Sequence, residues 1–565
     1  MAAPLPRAAQ HKGPCVIRTH LAPILAAAIL VPALASSPLS AQDTPPRPKA
    51  ASAADRAKEE VEAAWAHAPV DEQEVRHRDS VTIAGRRYPY TASAGTLTLR
   101  NVEGKPTASM FYTAYTLDGT KPGTKRPVTF LYNGGPGSPS FWLRMGSFAP
   151  IRIRTTNPEF IRPAPYDVGP NPDSLLDKTD LVFLDAIGTG YSRPLGDTKP
   201  EAFYGTDEDA DAFARGILRY VTKYGRWMSP KFLLGESYGT LRSGALAYQL
   251  QERGMALNGV VLLSSIMNYG YRQPGLDQVY LNYLPSYAAT AWYHNRIANR
   301  PADVATIVAE ARAFATGPYM SALAKGQSIS DAERDQVAQR MSQLTGLGVD
   351  FIKRANLRVD LPRFQKELLR GSARTVGRFD SRYTGIDADA AGERPETDAS
   401  SDAISGAYIA SFSDYLGSTL KYETELPYRQ SARDAAGWTW NWKHAAPGPG
   451  QPQNNPNTAI DLGAAMRANP YLKVLSMNGY YDMATPFFGT ENDLGHMMLD
   501  RAQQANLRFT YYPAGHMTYL NPEALHQMKA DLAQWYDEAV SDARSATPPV
   551  PATTSSATPP NQMPN

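Results

Sequence analysis

Residues 231–239 read KFLLGESYG, an apolar run followed at once by the pattern Gly-x-Ser-x-Gly. The run Lys231–Leu234 predicts a buried strand, and Thr240–Arg253 predicts a helix directly after the turn. The two glycines permit a tight strand-to-helix turn that holds the hydroxyl of Ser237 out at the carboxyl end of a sheet. Because so short a pattern also occurs by chance, its interpretation depends on the rest of the chain.

Further apolar runs of strand length lie on both sides of this turn. They are Val128–Tyr132, Leu181–Asp185, Val260–Leu263, Leu472–Met477 and Leu507–Tyr512. Runs that are apolar on both faces are typical of strands buried in a parallel sheet and covered by helices. Upstream, residues 80–118 are β-rich and interrupted by turns, which predicts an antiparallel lead-in. The sequence therefore predicts the α/β class, with a mostly parallel central sheet flanked by helices.

The alternation of strands and helices stops after residue 264 and resumes near Leu472. Residues 265–457 contain helical stretches and end in a return rich in Pro, Gly and Asn. A long block after one sheet strand and before another predicts an inserted cap, where ligand selectivity usually lies. The core would then consist of residues 76–264 and 458–540.

The two ends of the chain predict segments outside the fold. Residues 1–20 contain basic residues and no acidic ones, and the apolar run LAPILAAAILVPALA follows at 21–35. This order predicts a secretory signal peptide over 1–41. A membrane anchor is the alternative, but the run is shorter than the ~20 residues that span a bilayer. Residues 42–75 are predicted to be a spacer and helix, and 541–565 a disordered tail.

We therefore expect an exported protein, periplasmic or extracellular, with no membrane span after removal of the signal. Of its 565 residues, 42% are hydrophobic and 20% charged, which excludes wholesale disorder. Lys and Arg total 57 against 55 Asp and Glu, so no basic surplus predicts a nucleic-acid partner. The single cysteine, Cys15, excludes an intrachain disulfide. No nucleotide or zinc motif occurs, so no cofactor or metal is predicted, and no pattern predicts an oligomeric state.

A serine hydroxyl becomes a strong nucleophile when a histidine takes its proton and an acid orients that histidine. In a sheet of this kind the acid and then the histidine follow the serine along the chain. Asp482 lies just after one of the later apolar runs, and His516 lies just after the last one. These positions predict a Ser237–Asp482–His516 triad.

Other histidines and acids compete for the same roles. His496 has the same Gly-His-Met setting as His516, but the surrounding ENDLGHMMLDRAQQ predicts a helix, which favours a packed or solvated side chain. His526 also lies in a helical stretch. Asp493 and Asp500 are the rival acids, and the position directly after a strand favours Asp482 over both.

The segment Asn133–Ser138 reads NGGPGS and follows the run at 128–132. As a bare pattern it is a turn rich in glycine. After a major strand of a hydrolase-like sheet, such backbone can direct N–H groups at an oxyanion that develops during the reaction. The segment is therefore the candidate oxyanion loop.

Taken together and in order, five motifs resemble the serine carboxypeptidase family of α/β hydrolases, in a secreted bacterial-type member. They are NGGPGS at 133–138, LDAIGTGYS at 184–192, GESYG at 235–239, NGYYDMATP at 478–486 and AGHM at 514–517. The resemblance extends from about residue 128 to 520, with the cap matched only weakly. The combination is specific, whereas each motif alone is not.

The resemblance implies an α/β-hydrolase fold with a Ser237, Asp482 and His516 triad. It also implies an oxyanion hole from the backbone N–H groups of Gly135 and Tyr238. In addition, Asn133 and Glu236 match the positions that bind the free carboxylate of a peptide C-terminus. Two neighbouring carboxyl groups share a proton because both cannot ionise cheaply. Binding of this kind is favoured at acid pH.

The chain also departs from the family pattern. Ser147, in SFAP, stands where the family commonly has a glutamate, so one partner for the substrate carboxylate is missing. Arg144 could supply a charge instead, although an exposed or differently paired arginine is the simpler interpretation. This departure weakens the prediction that the protein acts strictly on peptide C-termini.

The sequence as a whole predicts a serine-type carboxypeptidase that acts on peptides with a free C-terminus through an acyl-enzyme. An esterase or acyltransferase with the same triad is the first alternative, since the fold and the triad do not determine the acceptor. A protein that binds ligands in the cap cleft without catalysis is the second.

Overall fold

The computed structural model describes residues 68–120, 125–435 and 437–542. These residues belong to one compact unit, Asp55–Asn565. The predicted signal peptide (1–41) lies outside the described residues. So do most of the predicted spacer (42–75) and nearly all of the predicted tail (541–565). The division of the remainder into a core and an inserted cap stays a prediction.

Fourteen strands are formed in the described part of the chain. They are β1 (Glu74–Ile83), β2 (Arg86–Arg100), β3 (Pro106–Leu117), β4 (Val128–Tyr132), β5 (Ile151–Ile153), β6 (Val168–Pro170), β7 (Asp180–Leu184), β8 (Arg193–Pro194), β9 (Lys231–Ser237), β10 (Gly259–Ser265), β11 (Thr375–Val376), β12 (Thr384–Gly385), β13 (Lys473–Gly479) and β14 (Leu507–Tyr512).

Ten of these strands form one mixed sheet with the order β1-β2-β3-β7-β4-β9-β10-β13-β14, and β8 pairs with β3. From β7 to β14 in this order, each strand is parallel to the next one. The pairs β1–β2, β2–β3 and β3–β7 are antiparallel. The carboxyl ends of the parallel strands therefore meet at one edge, where ligand sites of such sheets form.

Fifteen α-helices are formed in the same residues. They are α1 (Phe141–Gly146), α2 (Thr206–Lys223), α3 (Tyr238–Glu252), α4 (Gln278–Tyr293), α5 (Val304–Phe314), α6 (Met320–Ala324), α7 (Asp331–Thr345), α8 (Val349–Arg354), α9 (Leu361–Glu367), α10 (Ala399–Asp402), α11 (Ser405–Asp414), α12 (Ala459–Ala468), α13 (Phe487–Gly495), α14 (Arg501–Gln504) and α15 (Pro522–Asp542). The helices α4 to α11 all lie in the chain between β10 and β13.

Helices cover both faces of the parallel strands, because alternate residues of a strand point to opposite faces. On one face, Phe232 and Leu234 of β9 share a buried cluster with Trp535 of α15. On the other face, Leu233 joins a cluster with Phe213 of α2. The strand β9 is buried along nearly its whole length, which is the reason that its sequence is apolar without alternation.

The structure confirms the predicted fold class. All six apolar runs named above are the parallel strands of the sheet, and residues 80–118 form the antiparallel part. The order of strands, with a helix directly after β9, is that of the α/β-hydrolase fold. Among the described residues, no helix has both the length and the hydropathy needed to cross a bilayer.

One predicted helix is wrong in part. The sequence predicts one helix over Glu491–Gln504, but α13 ends at Gly495 and α14 begins only at Arg501. Between them the backbone of Met498 takes a φ of 54°, which a regular helix cannot contain. Asp500 then caps α14 by accepting a hydrogen bond of 2.7 Å from the backbone N–H of Gln503.

Candidate active site

Ser237 is the last residue of β9 and precedes the first residue of α3. Its backbone φ of 62° and ψ of −131° lie in a region that side chains other than glycine rarely adopt. The adjoining packing explains how this turn is held. A Cβ on Gly235 would clash with the backbone of Gly239, so the first glycine of the motif is required for the close approach. The turn therefore has the strained geometry expected of a nucleophile elbow.

The glycine-rich loop after β4 packs directly on this turn. A Cβ on Gly134 would clash with the backbone nitrogens of Tyr238 and Gly239. Gly135 takes a φ of 108°, which is open to glycine alone. The loop therefore lies against the first backbone N–H groups of α3, where the helix dipole adds positive potential. Gly135 and Tyr238, the two predicted donors to an oxyanion, lie on these two adjoining segments.

The structure also brings Asp482 and His516 together. The loops after β13 and β14 carry them, and Nδ1 of His516 lies 2.8 Å from Oδ2 of Asp482. Both side chains are almost fully buried. Donation from Nδ1 leaves Nε2 of the imidazole as the acceptor for a proton.

Neighbouring groups hold the acid and the imidazole in place. The hydroxyl of Thr485 lies 2.7 Å from Oδ2 of Asp482 and 3.0 Å from Nδ1 of His516. Asp482 Oδ1 accepts hydrogen bonds from the backbone N–H groups of Ala484 and Thr485, at 2.8 and 3.0 Å. Burial lowers the pKa of His516, but the charge and hydrogen bond of Asp482 outweigh that effect and raise it overall.

Glu236 lies beside Ser237 and is buried, with 3% of its surface exposed. Burial raises its pKa to about 7, against the lowering effects of His516 and of hydrogen bonds from Tyr519 and Asn133. The phenolic O–H of Tyr519 donates to Oε2 of Glu236 at 2.9 Å. Below pH 7 this side chain is therefore a neutral carboxylic acid that can donate a hydrogen bond.

Asn133 is buried next to this glutamate, at the start of the glycine-rich loop. Its Oδ1 accepts a hydrogen bond of 3.0 Å from the backbone N–H of Leu143 in α1. Its carbonyl oxygen accepts one of 2.8 Å from the buried guanidinium of Arg242. The hydrogen bond from Leu143 fixes the orientation of the side-chain amide, whose N–H₂ group is the donor end and also donates to Glu236.

The predicted site residues converge on a single cavity of about 330 Å³. Asn133, Gly135, Glu236, Ser237 and His516 all line it. Asp482 does not line the cavity but contacts His516, and Tyr238 directly follows Ser237 at the start of α3. A further wall comes from the segment between β10 and β13 and includes Arg378, Phe379, Asp380, Ser400, Ser401, Ile404, Ser405, Gln430, Ser431 and Arg433. A cavity of this size lies at the lower end of the range for small-ligand sites.

The residues that depart from the family pattern do not line this cavity. Ser147 is buried, and its hydroxyl donates to the carbonyl of Leu143 at 2.6 Å. Arg144 is fully buried among aromatic rings, with its guanidinium carbon 3.8 Å from the centre of the Tyr415 ring. Its Nε donates to the hydroxyl of Tyr115 at 2.6 Å. Arg144 therefore stabilises the packing of α1 and does not supply a charge to the cavity.

The rival residues lie elsewhere. His496 is exposed, just after the end of α13, and its Nδ1 contacts the carbonyl of Asn492 at 2.6 Å. His526 is 81% exposed and pairs with Asp173. Asp493 is buried near Asn268, and Asp500 caps a helix. None of these four residues lines the cavity that contains Ser237.

Several residues around the site were missed by the sequence analysis. Thr485 and Tyr519 each lie three residues beyond a predicted site residue, so this short spacing could have indicated them. Arg378 and Asp380 have no such signal. Both lie more than a hundred residues from Ser237 and from Asp482, so only the tertiary fold brings them to the cavity.

The fold and this site define a class of protein, the serine hydrolases with an α/β-hydrolase fold. A family model for serine carboxypeptidases matches residues 88–317 of the chain. Over this segment the chain is similar to the serine carboxypeptidases, a family of serine-type hydrolases. The match includes the glycine-rich loop and Ser237 and ends before Asp482 and His516.

Solved structures of several hydrolases resemble the chain at low identity. Kex1(delta)p, a prohormone-processing carboxypeptidase from Saccharomyces cerevisiae, is 12% identical, with 80% of this chain and 92% of that chain covered and a TM-score of 0.47. Proline iminopeptidase from Mycobacterium smegmatis is 15% identical, with coverages of 79% and 99% and a TM-score of 0.33. A comparison with curated protein sequences found no match. Likenesses of this size carry no information about the activity of this chain.

Proposed function

We propose that this protein is a serine carboxypeptidase that releases the C-terminal residue of a peptide through an acyl-enzyme. The observation that carries the proposal is the hydrogen bond of 2.8 Å between buried His516 and Asp482, beside the cavity that Ser237 lines. A buried acid and imidazole in contact, next to a strained serine, have the chemistry of a nucleophile with its general base. The family match over residues 88–317 supports the same activity.

In the proposed reaction, Oγ of Ser237 attacks the last peptide carbonyl while Nε2 of His516 takes the hydroxyl proton. The backbone N–H groups of Gly135 and Tyr238 stabilise the oxyanion that forms on the carbonyl oxygen. Collapse of this intermediate breaks the C–N bond, and His516 gives its proton to the departing amine. Water, activated by His516, then hydrolyses the ester on Ser237.

The free carboxylate of the substrate is proposed to bind Glu236 and Asn133. The neutral carboxylic acid of Glu236 donates one hydrogen bond to it, and the amide of Asn133 donates another. Because the pKa of Glu236 is about 7, the acid is available to donate below that pH. Above it, an ionised Glu236 repels the substrate carboxylate.

The proposed function is tested with an N-blocked dipeptide that has a free carboxylate and with its C-terminal amide. We expect hydrolysis of the free acid only, and a loss of at least about 10⁴-fold in kcat for Ser237→Ala. A serine-directed covalent inhibitor should label the native protein and not this variant. Hydrolysis that persists in Ser237→Ala, or an absence of both turnover and labelling, would contradict the proposal. The second of these results would favour a binding protein.

An esterase or acyltransferase with the same triad is the second candidate. The observation that favours it is Ser147, which stands at a position where the serine carboxypeptidase pattern commonly has a glutamate. Equal turnover of the dipeptide amide, or of simple esters, would support this candidate against the carboxypeptidase.

We also propose that the protein is exported to the periplasm or to the extracellular medium. The support is the order of basic residues, apolar run and small residues over 1–41. Mass spectrometry of the protein recovered from its source cells should find an N-terminus after Ala35 or Ala41. Recovery of a chain that still begins at Met1 would contradict this proposal.

A further inference from the structure

The wall of the cavity that comes from the segment between β10 and β13 contains an arginine that the proposed mechanism does not use. Arg378 lines the same cavity as Ser237 and His516 and is half-buried there. Its guanidinium lies 4.9 Å from the centre of the Phe379 ring. Within the part of the chain that the structure describes, no carboxylate forms an ion pair with this guanidinium.

The backbone of this arginine is tied to both loops of the candidate triad. The carbonyl of Arg378 accepts a hydrogen bond of 3.1 Å from the backbone N–H of Met483, the residue after Asp482. The carbonyl of Phe379 accepts one of 2.6 Å from the backbone N–H of His516. The position of Arg378 is therefore determined by the same loops that place the acid and the histidine, which makes it a built part of the site.

The other charged groups of this wall already have partners. Asp380 accepts hydrogen bonds from Arg382, at 2.5 and 2.9 Å, and from the backbone N–H of Gly515 at 3.2 Å. Arg433 is exposed, lies over the Trp438 ring at 5.3 Å and donates to the carbonyl of Gly135 at 3.4 Å. Arg378 is thus a half-buried cation of the cavity, and its guanidinium N–H groups can donate charge-assisted hydrogen bonds to a ligand.

We propose that Arg378 binds the side-chain carboxylate of an acidic residue at the C-terminus of the substrate. The inference rests on the proposed function, in which Glu236 and Asn133 hold the α-carboxylate of that residue. Arg378 lines the same cavity, so the group that we place against it is the side chain of the C-terminal residue, whose α-carboxylate binds Glu236 and Asn133. A guanidinium presents planar paired donors that match a carboxylate. Arg378 is therefore a specificity-determining residue, and C-terminal Glu is a preferred leaving residue.

The experiment uses the full chain and N-blocked dipeptides that end in Glu, Gln or Leu, all with a free α-carboxylate. Glu and Gln have nearly the same shape, so the ratio of their kcat/KM values measures the effect of the side-chain charge. We expect a Glu to Gln ratio of about 10 to 100 in the native protein, as for a partly buried hydrogen bond to a charged group. In Arg378→Gln the ratio should fall to about 1, mainly through KM, and Arg378→Lys should keep part of it.

Arg374→Gln is the matched control. Arg374 lies four residues earlier, is exposed and does not line the cavity, so this variant should keep the native ratio. Measurable hydrolysis of the Leu substrate by Arg378→Gln would show that this variant is folded, so that its Glu to Gln ratio can be read. A native ratio near 1, or a ratio unchanged in Arg378→Gln, would overturn the assignment.

The position of the acidic residue is tested with a second pair of substrates that carry Glu or Gln at the penultimate residue. A preference for Glu confined to that position would also overturn the assignment to the C-terminal residue. Failure of the proposed function is distinguishable from these outcomes, because the Leu and Gln substrates would then not be hydrolysed at all.

Discussion

At the scale of single residues, the neighbourhood of Glu236 sets the pH response expected of the site. Burial raises its pKa to about 7, although Tyr519 donates a hydrogen bond to it at 2.9 Å. Glu236 and His516 also influence each other, since the charge of Glu236 raises the pKa of the imidazole. The pH profile therefore reports the titration of the pair, with a rising limb from His516 and a falling limb from Glu236.

For free-acid substrates, we expect kcat/KM to fall above pH 7, by about tenfold per pH unit, because ionised Glu236 repels the substrate carboxylate. In Glu236→Gln the side chain stays neutral and keeps an N–H donor, so this falling limb should disappear up to about pH 8. The measurement is kcat/KM between pH 4.5 and 8.5. Glu252→Gln, an exposed glutamate at the end of α3, is the control and should keep the native profile. An unchanged profile in Glu236→Gln would contradict the role given to this residue.

At the scale of the elements, a buried ion pair joins α2 to α3 beneath the nucleophile turn. Nε of Arg242 in α3 donates to Oδ2 of Asp209 in α2 at 2.7 Å, and both side chains are almost wholly buried. The guanidinium also lies 4.0 Å from the centre of the Phe213 ring and donates to the carbonyl of Asn133. One cation therefore connects two helices and the glycine-rich loop.

Removal of one partner of this pair should be costly, because the other charge stays buried without compensation. We expect Asp209→Asn to lower the free energy of unfolding by about 3 kcal/mol. The control is Asp211→Asn, two residues along the same helix, where the carboxylate is 37% exposed and pairs with Arg215 and Arg253. That change should cost less than about 1 kcal/mol. Urea unfolding measures both, and equal losses would argue against the buried pair.

At the scale of the whole molecule, His444 connects the segment before β13 to two helices of the sheet layers. Its Nδ1 lies 2.6 Å from Asp207 of α2, and its Nε2 lies 2.9 Å from Asp461 of α12. Burial lowers the pKa of His444, but the hydrogen bonds and charges of the two aspartates outweigh that effect and raise it to about 9. The charged imidazolium is therefore the form that holds these three parts together at neutral pH.

A histidine with a raised pKa in the folded state stabilises the protein fully below the unfolded-state value of about 6.5. That stabilisation is lost as the pH rises through about 9. We expect the free energy of unfolding to fall between pH 6.5 and 9.5 in the native protein and to fall less in His444→Gln. His526→Gln, at an exposed histidine that also pairs with an aspartate, should leave the dependence unchanged. Identical pH dependence in His444→Gln and the native protein would refute this expectation.

The strands of the parallel sheet and the turn at Ser237 could be predicted from the amino-acid sequence alone. These features are local, since a strand buried on both faces must be apolar throughout and a strained turn must have glycines beside it. The order of Ser237, Asp482 and His516 followed from their positions after strands. The break between α13 and α14 was not predicted, because a backbone turn at Met498 leaves no mark in the helical pattern.

Which side chains surround these residues depends on the tertiary fold. Arg378 and Phe379 reach the cavity because their carbonyl groups accept backbone hydrogen bonds from Met483 and His516 respectively, both of them distant in sequence. The pKa of Glu236 depends on how deeply the fold buries this side chain and on the hydrogen bond from Tyr519. The sequence shows that Tyr519 follows the last strand, but it does not show which group the side chain contacts. Burial and long-range contacts arise from packing, and no local pattern of residue types encodes them.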